Sequence, residues 1–195
     1  MTTPIREGHL EFTFDDTWTV ILKWDDTPSY KHGLRDQVEG SKAVDFACLR
    51  GGDVFLIEAK DYRGSEHDPA TKKKLRDGGE DLVSAVACKV RDTVAGLVGA
   101  ARLARDDDAT ALAQALAARR SAVVAVMWIE HAAPPATVKP KVQALRNKAR
   151  GGVESDRLQA AVRWLGARAL ICSRADANHI PGLDVRSLHG AIRRP

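Results

Sequence analysis

A pair of glycines set between two apolar runs constrains this chain more than any other feature. Arg50-Gly51-Gly52-Asp53 separates Ala43-Val44-Asp45-Phe46-Ala47-Cys48-Leu49 from Val54-Phe55-Leu56-Ile57-Glu58-Ala59-Lys60. Adjacent glycines accept the positive φ that a tight hairpin turn demands, so the two runs are expected as antiparallel strands. Alternation along the second strand puts Glu58 and Lys60 on one face and Ile57 and Ala59 on the other. Val54 to Ile57 is continuously apolar, the pattern of a strand covered on both faces whose charged end emerges at a cleft. Asp45 stands early in the first strand and Glu58 late in the second. Their convergence is expected through splaying or bending of the strands rather than through hairpin pairing alone.

Neighbouring buried carboxylates raise each other's pKa, and a divalent cation relieves that repulsion. Two acids, a backbone carbonyl and waters meet the demand of Mg²⁺ for hard oxygen ligands in octahedral geometry. A lysine beside such a site can hold an attacking water and offset developing negative charge.

Asp45, Glu58 and Lys60 together resemble the motif of the PD-(D/E)xK phosphodiesterase superfamily, the restriction-endonuclease-like nucleases: an Asp on one strand and Glu-x-Lys on the next. Val44 stands where the superfamily name has Pro. The resemblance implies that Asp45 and Glu58 hold one or two Mg²⁺ or Mn²⁺ ions, that the backbone carbonyl of Ala59 joins them, and that Lys60 orients or activates the attacking water. It further implies an accessory acid from the first helix, with Glu39 or Asp36 as candidates, and a substrate-facing residue on the helix after the hairpin, with Lys89 as candidate. Small members of the superfamily work in restriction, repair and phage defence. Plainer readings stay open beside these: a solvated Glu58–Lys60 pair on a surface hairpin, a solvent-facing Glu39, and a local Lys89–Asp92 ion pair one helical turn apart.

Composition fits without deciding. A chain of 195 residues with 44% hydrophobic content is expected to form one domain over 1–195 with a sizeable core. The net charge of +4 and pI near 9.1 favour an anionic partner, diluted by 26 acids. Local basic clusters, Lys72-Lys73-Lys74-Leu75-Arg76 and Lys139, Lys141, Arg146, Lys148 and Arg150, could track a phosphate backbone or simply be solvated. Cys48, Cys88 and Cys172 sit in apolar surroundings without metal or redox spacing, and the histidines show no short pairing, so buried thiols and no structural zinc are expected. His32 and His67 remain accessory candidates. Met1 to Leu10 lacks an apolar signal core and the longest hydrophobic stretch is strand-length, which predicts a cytoplasmic protein with no membrane span.

Along the chain, Leu10 to Phe14 and Thr17 to Trp24 read as an opening hairpin turning at Asp15-Asp16. Pro28 to Val38 reads as a short helix, and Leu82, Val83, Val86, Val90, Val94, Leu97, Val98 and Ala101 recur at helical spacing. Ala100 to Ala118 reads as helix interrupted by Asp106-Asp107-Asp108. Ser121 to Ile129 reads as a buried strand, Val138 to Ala149 and Leu158 to Leu165 as helices, and Ala169 to Cys172 as a strand; the tail from Ile180 has no clear assignment. This order predicts a mixed α/β fold, a central mixed β-sheet flanked by helices with a restriction-endonuclease-like core and an N-terminal β-hairpin. The expected activity is metal-dependent hydrolysis of nucleic-acid phosphodiesters, DNA favoured over RNA. With little chain left for a sequence-reading domain, specificity is expected to be low, or supplied by a homodimer or a partner subunit. The competing expectation is a catalytically idle nuclease-like module that binds nucleic acid or a partner protein.

Overall fold

The structure is a computed structural model, and it describes residues 4–65, 68–69, 71, 80–104, 106–131, 152–175 and 180–188. Eight strands are present among these residues: β1 (Ile5–Glu7), β2 (Leu10–Phe14), β3 (Trp18–Lys23), β4 (Phe46–Arg50), β5 (Asp53–Asp61), β6 (Val123–Glu130), β7 (Arg168–Cys172) and β8 (Leu183–Ser187). The helices are α1 (Pro28–Tyr30), continued by a π-type turn over Lys31–Arg35, then α2 (Glu80–Arg102), α3 (Asp107–Ala117) and α4 (152–161).

The fold is mixed α/β, built on a five-stranded sheet in the order β3-β4-β5-β6-β7. Its first three strands run antiparallel, and β5, β6 and β7 run parallel. A parallel step needs a crossover, and α2 and α3 lie in the chain between β5 and β6. A three-stranded antiparallel sheet, β1-β2-β8, covers the opposite face. The central sheet is thus a buried middle layer: all eight residues of β6 are buried, as are Val54 through Ala59 of β5.

Alternation assigns the two faces. Val54, Leu56, Ala47, Ala125, Met127 and Ile129 pack under the helices with Leu82, Val86, Val90, Leu97 and Leu112. Phe46, Cys48, Phe55, Ile57, Ala59, Val126 and Trp128 pack against Leu10, Phe12, Phe14 and Val185 of the small sheet. Glu58 and Lys60, in phase with Leu56, therefore emerge on the helical side, as alternation predicts.

Three expectations change. An N-terminal hairpin exists, but it joins β1 to β2, with Gly8 at φ +56° in its turn. The strand beyond Asp15-Asp16, β3, leaves β2 and enters the central sheet instead, where Val20 and Leu22 face the helical core and Trp18 and Ile21 face the small sheet. The tail yields β8, which pairs with β2 from Phe14↔Leu183 to Leu10↔Ser187 and completes the small sheet. The expected break at Asp106 to Asp108 is present, since α2 ends at Arg102 and α3 begins at Asp107, and the same acids start the second helix: the Asp106 side chain accepts from the Ala109 N–H at 3.0 Å, and Asp107 and Asp108 lie in the positive first turn of α3. Cys48 and Cys172 are buried as expected and Cys88 is half-buried; none of the three forms a disulfide. Among the described residues no helix is long and apolar enough to cross a membrane. The helix expected over Val138 to Ala149, both basic clusters and His67 lie outside the described residues.

Gly96 seats α2 on the core. A Cβ there would stand 2.8 Å from Cζ2 of the fully buried Trp24 and 3.3 Å from Leu34 Cδ2. Ala in place of Gly favours the helix by about 1 kcal/mol, yet overpacking a rigid buried ring costs about 1–3 kcal/mol. Gly96→Ala is therefore expected to lower the urea-unfolding midpoint; a raised midpoint would show that Trp24 yields freely.

Candidate active site

The hairpin itself places the two acids side by side. Gly51 and Gly52 take φ +57° and +90°, and the two-residue turn sets the register Arg50↔Asp53 through Phe46↔Ile57. One further step in that register sets Asp45 opposite Glu58. No splaying is needed, contrary to the sequence expectation, because Asp45 and Glu58 stand equally far from the turn, in the same register that pairs Leu49 with Val54 and Arg50 with Asp53. Asp45 itself lies just before β4. Its carbonyl accepts from the Trp24 N–H at 2.9 Å, and its Oδ2 accepts from the Ala59 N–H at 2.7 Å.

Both acids are withdrawn from water, Asp45 being 4% and Glu58 0% exposed. Positive charge comes from two directions. Lys60, on the same strand face, contacts Glu58 Oε1. Lys89, from α2, lies 2.7 Å from Glu58 Oε1, donates to Oε2 at 2.8 Å, and stands 3.9 Å from Asp45 Oδ1. The contacts at Oε1 are within ion-pair range but badly directed, so this buried oxygen has no hydrogen bond of good geometry. Lys89 thus joins the predicted site; it pairs with Glu58 and not with Asp92, which accepts instead from the Lys42 N–H and from Arg91.

Burial, and then the charge of Glu58, push the Asp45 carboxyl up to about 7, against the pull of the Ala59 N–H, Lys89 and Lys60. Burial works against the Lys60 ammonium, but the Glu58 carboxylate outweighs it and the net pKa is raised. Lys60 is therefore a cation at neutral pH, suited to orienting and stabilising an anion rather than to removing a proton.

A further set of acids adjoins Asp45. One carboxylate oxygen each from Glu7, Asp25 and Asp45 lie within 4.8 Å of one another. Lys23 threads this set, 3.0 Å from Glu7 Oε2, 3.0 Å from Asp25 Oδ1 and 2.9 Å from Asp26 Oδ2. Sequence reasoning sought the accessory acid in the first helix. Glu39 is exposed, and Asp36 is exposed and paired with His32 and Arg35, so the structure does not bring these to Asp45. Asp25 had one signal, its place two residues beyond the end of β3; Glu7, on a short edge strand, had none.

The donor set fits a hard divalent cation. Four carboxylates, Asp45, Glu58, Glu7 and Asp25, face the three ammonium groups of Lys23, Lys60 and Lys89, and Glu58 Oε1 retains undirected lone pairs. Asp45 and Glu58 would hold such an ion, and Asp45 is also the acid that Glu7 and Asp25 approach.

No family model matches the chain, and no solved structure matches it. A cysteine–tRNA ligase of Neisseria meningitidis serogroup A / serotype 4A is 29% identical over 120 residues, which is 50% of this chain and 17% of the ligase. The chain thus spans less than a fifth of that relative's length.

The Asp45 shift has a definite sign. Its folded pKa lies above the ordinary 3.8, so between 3.8 and about 7 the folded state holds a proton that the unfolded chain has lost. Stability from this group is therefore complete below that window and is lost as pH rises through it. In EDTA, Asp45→Asn, which keeps an acceptor for the Ala59 N–H, is expected to gain stability relative to the parent as pH rises across the window and to level off above it. Urea unfolding at several pH values reads this; a difference independent of pH would contradict it.

Proposed function

We propose that the chain is a metal-dependent nuclease that hydrolyses nucleic-acid phosphodiester bonds, with DNA favoured as substrate. The observation that carries this reading is the buried Asp45–Glu58 pair, held in register at the mouth of the central sheet with Lys60 on the same face and Lys89 above it. Together with the resemblance of Asp45, Glu58 and Lys60 to the PD-(D/E)xK motif, it supports a phosphodiesterase site more directly than any feature of composition does.

The residues divide the work. Asp45 and Glu58 would hold Mg²⁺ or Mn²⁺, which when bound polarises a phosphate and lowers the pKa of an attacking water. The Ala59 N–H fixes the Asp45 carboxylate, so that Oδ2 is committed to the backbone while Oδ1 faces the Lys89 ammonium. Lys60, half-buried and cationic, orients the nucleophile and offsets charge that develops on the phosphate. Lys89 balances the two acids before substrate and cation arrive. Buried charge arranged in advance needs little reorganisation during reaction.

One observation favours a second reading. Both oxygens of Glu58 already face lysine ammonium groups. A carboxylate so compensated can rest without a metal, as in a catalytically idle module that binds nucleic acid or a partner protein. The ligase match covers too small a part of that enzyme to transfer its activity, but its name places RNA beside DNA in the assay.

Labelled linear, circular and single-stranded DNA and RNA, incubated with Mg²⁺, Mn²⁺ or EDTA, separate the readings. Cleavage is expected with either metal and not in EDTA. Asp45→Ala and Glu58→Ala are expected to reduce it to background, and Lys60→Ala to reduce it by about 10²–10³-fold. A correctly folded Glu58→Ala chain that cuts at the parental rate would sink the assignment, and salt-sensitive binding without cutting would favour the idle module.

A further inference from the structure

Residues 41–44 lead into Asp45 without belonging to any strand, although Ala43 and Val44 are buried. Buried N–H groups outside a ladder need acceptors from elsewhere. Two consecutive side chains on α2 supply acceptors here, one to the buried Val44 N–H and one to the N–H of the exposed Lys42. Thr93 Oγ1 accepts from the Val44 N–H at 3.0 Å, and Asp92 Oδ2 accepts from the Lys42 N–H at 3.0 Å. Thr93 is wholly buried, so its hydroxyl has this segment and its own helix to bond and no water.

The same helix carries the other supports of the site. Lys89, one turn before Thr93, reaches Glu58, and Gly96, about one turn after it, admits the ring of Trp24. Trp24 in turn gives its N–H to the Asp45 carbonyl. Lys89, Thr93 and Gly96 thus form one stripe on α2 that meets Glu58, the residue before Asp45, and the residue bonded to Asp45.

We propose that Thr93, assisted by Asp92, is a positioning residue that sets where the Asp45 carboxylate stands relative to Glu58 and Lys89. The catalytic part of this inference rests on the nuclease reading; the positional part does not. Replacing Thr93 by Val keeps the shape and removes the acceptor, leaving the Val44 N–H buried and unbonded. The segment then relaxes, and Asp45 Oδ2 withdraws from the Ala59 N–H.

That last contact provides a reporter independent of activity, because protection of the Ala59 amide depends on the Asp45 side chain. Native-state hydrogen exchange on the full chain is expected to show the Ala59 amide exchanging about tenfold faster or more in Thr93→Val, with amides of β6 such as Val126 unchanged. Thr93→Ser, which restores the oxygen, is expected to return Ala59 to the parental rate. In cleavage assays Thr93→Val lowers kcat about tenfold or more with KM unchanged, and Thr93→Ser recovers it. Asp92→Ala, made at the rim of the helix with the core untouched, gives the same pattern at smaller amplitude and serves if Thr93→Val does not fold.

Parental exchange at Ala59 in folded Thr93→Val or in Asp92→Ala overturns the proposal, as does a Thr93→Ser chain that behaves like Thr93→Val. A parent that cuts no nucleic acid overturns the nuclease reading alone, and the Ala59 exchange rates still decide the positioning.

Discussion

Two carboxylates facing each other across a hairpin, both cut off from water, cannot both carry charge unless positive charge is brought to them. Much of the surrounding structure answers that requirement. The Gly51-Gly52 turn fixes Asp45 against Glu58, Lys60 arises from the same strand phase as Glu58, and α2 delivers Lys89 from above. The Ala59 N–H holds one Asp45 oxygen in place. Even so, the Asp45 carboxyl is pushed well above its ordinary range, so the lysines do not fully compensate the pair. Under the proposed reading, this pair is where a divalent cation would bind.

The fold explains why this occurs at one end of the central sheet. Covering β5 and β6 on both faces forces apolar residues along most of their length, and polar groups can appear only where the strands end. On the helical side that end carries Glu58 and Lys60. On the side of the small sheet it carries Asp61, bound to Arg63, and Glu130, which accepts from Trp128 Nε1 and the Arg174 N–H. The second group is satisfied by its own neighbours and ties the sheet end to Ser187 of β8 through Arg63. Only the first leaves a buried carboxylate oxygen without a well-directed hydrogen bond.

The central sheet and its helices were legible because their periodicities are strong and local: the glycine turn, the continuous run of β6, and the apolar stripe of α2. Glu58 and Lys60 share a face by simple alternation, which sequence reading can follow, whereas the pairing that sets Asp45 opposite Glu58, expected from sequence to need splayed strands, emerges only from the hairpin register. What escaped depends on contacts distant in sequence. β8 is five residues with one buried side chain, too short a run to stand out in the sequence, and it pairs along the edge of β2. The acids beside Asp45 come from a short edge strand, where nothing marks Glu7, and from just beyond β3, where Asp25 has only its position after the strand end to mark it. Glu39 had the better local context but lies on the exposed segment beyond the π-type turn. Thr93 reads in sequence only as a polar residue on an otherwise apolar helix, and its role depends on a backbone N–H from a segment 49 residues away.

The central claim is that Asp45 and Glu58 hold a divalent cation. Anomalous diffraction from crystals of the full chain soaked in Mn²⁺ tests it most directly. The account predicts a manganese peak touching a carboxylate oxygen of each acid, with the Lys89 ammonium displaced from Glu58. Manganese bound elsewhere, or no peak while Lys60 and Lys89 still cover Glu58, would contradict it.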